Sequence, residues 1–159
     1  MIALSKEERD GWLEDRGVNL HDLKARQSQT YRLPTDAGSK NFLARYIAES
    51  MFHEPSEVVL EVTGWSVWPS SDNPELFAEY RASLNEHRPI IEAPFHIFSK
   101  EEQVSFRNLL NLCLLFFYDC RVLKLGTLDM FAASHDEVCF FNLTDQERQL
   151  YLQKWFEEK

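Results

Sequence analysis

Glycine is scarce in this chain, five in 159 residues, and none of the five belongs to a phosphate-binding loop, a GxSxG elbow or a dinucleotide fingerprint. No nucleotide cofactor is expected, and the common hydrolase signatures are missing. The same scarcity, with 44% hydrophobic and 13% aromatic residues, argues against disorder and for a packed core. Cysteine is sparse and odd in number. Cys113, Cys120 and Cys139 stand in apolar surroundings without a CxxC pair, which predicts reduced core thiols with neither a disulfide nor a structural zinc. The histidines, His21, His53, His87, His96 and His135, show no HxH or HxxxH spacing, so no metal site is expected from them.

Positive charge is also in deficit. Seventeen Lys and Arg face 26 Asp and Glu, a net charge of -9, which repels nucleic acid and anionic lipid and favours a basic partner. The longest apolar run, Leu109 to Phe117, has nine residues where a membrane span needs about twenty. It reads as a buried segment. The start is charged by the sixth residue and has no apolar signal core, which points to the cytoplasm.

The length suits one globular domain over 1-159, with 1-28 as a helical N-terminal arm. Ser5 with Glu8, Ser99 with Glu102 and Thr144 with Glu147 form three helix-opening capping boxes. Asn73 followed by Pro74 opens another helix, and apolar positions from Ser39 to Phe52 recur at helical spacing. A second short helix is expected from Asn19. Tyr31 lies in a short strand stopped by Pro34, the β-branched run from Glu57 towards Pro69 is a long central strand, and the segment broken by Pro94 suits an edge strand or loop. Asn111, inside the apolar helix, should be hydrogen-bonded. The predicted architecture is α+β: one mostly antiparallel sheet of about five strands with helices packed on it, and a C-terminal β-meander followed by a terminal helix.

Two hairpins set the expected register. A two-residue Gly126–Thr127 loop pairs Lys124 with Asp129, Leu123 with Met130 and Val122 with Phe131. A two-residue His135–Asp136 loop would pair Phe131 with Phe140 and Ala132 with Cys139. One face then collects Leu123, Leu125, Leu128, Met130, Ala132, Cys139, Phe141 and Leu143 as the core. The other carries a row of Val122, Phe131 and Phe140, either covered by a helix or exposed as a docking surface.

Candidate chemistry is thin. The tip "SHDEV" sets His135 beside Asp136 and Glu137, and Glu92 stands four residues from His96. Both have structural explanations: a polar turn for the first, and for the second an extended spacing of about 13 Å, too long for a hydrogen bond unless Pro94 bends the chain. Trp65 and Trp68, on opposite faces of their strand, and the following loop with Asp72 form a second-choice binding site. Size, charge and missing signatures favour a non-catalytic, inhibitor- or immunity-type domain that binds a basic protein. The alternatives are a small hydrolase using a His/carboxylate pair and a homodimeric scaffold component.

Overall fold

A computed structural model describes residues 1–18, 29–53, 56–65, 73–127 and 129–158. The expected helix from Asn19, together with Trp68, Asp72 and Leu128, lies outside the described residues. Seven strands are described: β1 (Ile2–Leu4), β2 (Tyr31–Arg32), β3 (Val58–Gly64), β4 (Phe95–Phe98), β5 (Asp119–Lys124), β6 (Met130–Ser134) and β7 (Val138–Asn142). Every pairing is antiparallel, in the order β1-β4-β3-β5-β6-β7-β2. The sheet is therefore larger than the five or so strands expected. The meander β5-β6-β7 does not end it either, because β2 pairs outside β7. β1 has the same effect at the opposite edge, where it turns the Pro94 segment into an interior strand, β4, buried along its whole length.

Five helices are described: α1 (Lys6–Asp15), α2 (Ala37–Met51), α3 (Pro74–Ser83), α4 (Gln103–Leu115) and α5 (Gln146–Glu157). The starts of α1 and α3 are those read from local side chains, with Ser5 and Glu8 forming a reciprocal box and Asn73 accepting from the Leu76 amide. The box of Ser99 and Glu102 closes a 3-10 turn that leads into α4. α2 begins earlier than Ser39, with Asp36 as its cap. At α5 the cap is Asp145, not Thr144. Thr144 is engaged elsewhere: its amide and hydroxyl both donate to Asp129 Oδ1, at 2.5 and 2.7 Å. Asn111 Oδ1 has no hydrogen-bond partner among the described residues, contrary to the expectation for that helix.

Side-chain alternation divides the sheet into two unequal faces. The larger core joins Leu60, Val62, Val122, Phe131, Cys139 and Phe141 to residues of α2, α4 and α5, among them Leu43, Ile47, Leu110 and Leu152. The smaller cluster, on the reverse face, joins Val59, Phe95, Ile97, Leu123 and Met130 to Leu13 and Trp12 of α1. The first hairpin has the expected register, with Val122 opposite Phe131 and Leu123 opposite Met130. The second is shifted by one residue: Phe131 faces Phe141, and Ala132 faces Phe140. His135, Asp136 and Glu137 form a three-residue loop in which Glu137 takes a φ of 59°. The row of Val122, Phe131 and Phe140 is thus split. Val122 and Phe131 have no exposed surface and lie in the main core, whereas Phe140 is half-buried on the reverse face. The face assigned to the core by the sequence is split as well: Leu123 and Met130 belong to the smaller cluster, whereas Cys139, Phe141 and Leu143 belong to the larger core.

Three free cysteines are buried. Among the described residues no helix is long and apolar enough to cross a membrane.

Candidate functional site: a cleft on the half-covered sheet face

The buried part of β3, Val58 to Val62, is apolar except at Glu61, which alternation sends to the reverse face with Val59. Glu61 as a whole is 3% exposed, a location for a carboxylate that is tolerated only with strong compensation. Two guanidinium groups supply it. Arg121 is directly across the ladder on β5 and bonds Glu61 Oε2 through Nη2. Arg9 reaches down from α1 and places Nη1 2.5 Å from Oε1, while also pairing with Asp10.

Beside this trio the described residues leave part of the sheet uncovered. The opening is a cleft of about 480 Å³ with Trp65, Met130 and Phe140 as apolar walls, Arg9, Glu61 and Arg121 on its floor, and Lys6, Thr63, Asp119 and Ser134 around it. Trp65 also borders a smaller apolar hollow of about 210 Å³ against Phe77 and Tyr118.

The histidine of the tip has a partner that no local pattern indicates. His135 Nδ1 is 2.8 Å from Asp119 Oδ1, and its backbone amide donates to the same oxygen at 2.6 Å. Nε2 is 3.6 Å from Asp136 Oδ1, so both ring nitrogens face carboxylates. Glu137 turns away to Arg32 at 3.2 Å, and its carbonyl accepts from the Leu33 amide, tying the loop to β2. The tip therefore works as a junction between β5, the β6–β7 hairpin and β2. A bulge in β3 between Val62 and Gly64 brings Gly64 against Asp119. A Cβ at Gly64 would stand 2.5 Å from Asp119 Oδ2. Gly64→Ala is accordingly expected to push Asp119 off His135 and to cost about 1–3 kcal/mol. Urea unfolding and the His135 ring signals in NMR check this; unchanged stability with unchanged His135 signals would contradict the contact.

Glu92 and His96 stand in different surroundings. Glu92 is exposed, whereas His96 is completely buried on β4 and accepts from Arg81 Nε at 3.0 Å through Nε2 while Nδ1 faces Leu60 O at 3.2 Å. Burial, reinforced by the neighbouring Arg81 charge, pushes the imidazole down to about 3, so it is neutral at ordinary pH. Arg81 also bonds the carbonyls of Arg88 and Ala93, at 2.7 and 2.8 Å, and thereby pins α3 to the segment before β4. This is a packing device in the core.

Of the residues singled out from sequence, Trp65 and Phe140 come together at the cleft. Val122 and Phe131 are beneath the helices instead. Glu61, Arg9, Arg121 and Asp119 were not singled out, although a lone carboxylate in "VVLEV" and a lone arginine in "CRVL" are visible departures from apolar strands. Among the described residues no group of three or more His, Cys, Asp or Glu side chains could hold a metal ion. Comparison with protein-family models, with curated proteins and with solved structures gives no match to this chain.

Proposed function

We propose that this chain is a non-catalytic binding domain whose cleft on the half-covered sheet face receives part of a basic protein partner. The observation that carries the reading is the setting of that cleft: Trp65 and Phe140 line an open concavity directly beside α1, whose outer side exposes Glu7, Glu8, Asp10, Glu14 and Asp15. Apolar walls supply contact area, and the carboxylates, with the net charge of -9, steer a basic surface towards them. The hydrolase alternative has the His135–Asp119 pair in its favour. With a carboxylate at each ring nitrogen, however, that imidazole is placed to hold the turn together and not to take a proton from a nucleophile.

The test uses two altered proteins. Thr63→Arg fills the cleft mouth from an exposed position, and a triple Glu7→Lys, Asp10→Lys, Glu14→Lys change reverses the rim charge. At low salt the unaltered domain should retain a discrete basic protein from its native lysate, and both variants should lose it by at least about tenfold while unfolding at unchanged temperature. Retention of the same protein by both variants, or of no basic protein by the unaltered domain, would overturn the reading.

A further inference from the structure

The Arg9–Glu61–Arg121 floor is not balanced. A guanidinium has five N–H donors, and Arg121 commits one of them, through Nη2, to Glu61. Its Nε is buried and has no acceptor, and no other hydrogen bond from its side chain is formed with the described residues. Yet this side chain is only 17% exposed. A guanidinium mostly removed from water with most of its donors uncommitted is an unfinished hydrogen-bonding site. Lys6, lining the same cleft, has no ion-pair partner among the described residues either. Glu61 serves Arg121 and shares Arg9 with Asp10, and the other lining carboxylate, Asp119, is engaged by His135. Among the side chains that line the cleft, Lys6, Arg9 and Arg121 outnumber Glu61 and Asp119.

We infer that the cleft binds an organic carboxylate carried on a flat apolar body, with the carboxylate at Arg121 and Lys6 and the body against Trp65 and Phe140. A planar carboxylate matches the fork of a guanidinium and accepts two parallel N–H bonds. A phosphate dianion is disfavoured because Glu61 and Asp119 line the same space and would repel the second charge. The aromatic walls call for an apolar group next to the acid, and about 480 Å³ accommodates a residue-sized molecule with room to spare. The inference takes from the binding-domain reading only the location of the site, and it adds the chemistry of what is recognised there.

The probes are N-acetylphenylalanine, its uncharged amide, inorganic phosphate, and a basic hexapeptide ending in phenylalanine with a free carboxylate. Binding is followed through the Trp65 indole and Arg121 Nε–H signals in NMR. N-acetylphenylalanine is expected to shift both saturably in the millimolar range, with the amide and phosphate at least about tenfold weaker. Arg121→Gln should weaken the acid by about tenfold, and Lys6→Ala, at an exposed position that does not threaten the fold, by several-fold. Equal binding of acid and amide, equal binding of phosphate, absence of any shift, or indifference to Lys6→Ala each overturns the inference. If the peptide binds more tightly than N-acetylphenylalanine, the carboxylate is a protein terminus and both readings stand. If the small acid binds and the peptide does not, the carboxylate site stands and protein docking in the cleft falls.

Discussion

Phe131→Asp is expected to abolish cooperative folding. Phe131 has no exposed surface, lies opposite Val122 on one side and Phe141 on the other, and belongs to the main core. Losing a buried phenyl ring costs about 3–5 kcal/mol. Putting a carboxyl in its place adds the cost of burying a polar group among apolar neighbours, about 2–7 kcal/mol without a compensating bond. The sum approaches or exceeds the stability of an ordinary domain, about 5–15 kcal/mol. Phe140→Asp, one strand over on the reverse face and half-buried, should leave a folded protein of reduced stability. Circular dichroism melts of the pair separate the two faces. Equal destabilisation by the two substitutions would mean that Phe131 and Phe140 share a face, as in the other register of the second hairpin.

Acid should destabilise the fold well above the usual carboxylate range. His96 titrates at about 3 in the folded chain because burial and the Arg81 charge oppose its protonation, against an ordinary histidine value of 6.5. Between those two values the unfolded chain binds one proton more than the folded chain, so stability falls as pH falls through that window. The slope approaches about 1.4 kcal/mol per pH unit, and the loss reaches roughly 2–3 kcal/mol by pH 4.5. Glu86 acts lower down. Its hydrogen bonds from the Arg88 side chain hold it at about 2, so the stability it confers is present above 4.5 and disappears as pH falls from there towards 2. Urea unfolding between pH 7 and 4.5 measures the first window free of the second. His96→Gln keeps an amide oxygen for Arg81 and an amide N–H for the Leu60 carbonyl without titrating, and should flatten the profile above pH 4.5. A flat profile in the unaltered protein would show that His96 is not held neutral in the core.

What could be read from sequence was local. Ser5 with Glu8 and Asn73 with Pro74 mark helix starts because the capping atoms lie within three residues of the amides they satisfy. The Gly126 hairpin was legible for the same reason: this glycine takes a φ of 77°, a conformation that only its residue type adopts freely. The second hairpin misled because Glu137 takes a left-handed conformation without being glycine. Its support comes from β2, through Arg32 and Leu33, more than a hundred residues earlier in the chain. β1 is too short for periodicity to reveal, and overlooking it made the Pro94 strand look like an edge. At the cleft, Glu61 and Arg121 were visible as charges inside apolar strands. Their conjunction with Arg9, and that of Asp119 with His135, depends on sheet register and helix docking, for which sixteen to sixty residues of separation leave no local trace.

The strand order bears on how the protein emerges from a ribosome. Both outermost strands, β1 and β2, lie before residue 33, but their partners β4 and β7 end at Phe98 and Asn142. At about 5–20 residues per second, β2 waits several seconds or more before the strand it needs exists. Trp12 and Leu13 wait as well, since Met130 of the surface they cover comes late in synthesis. Strand β2 therefore has no partner until β7 has been made. Tyr31 and Leu33, buried in the finished fold, stay open to a chaperone until then.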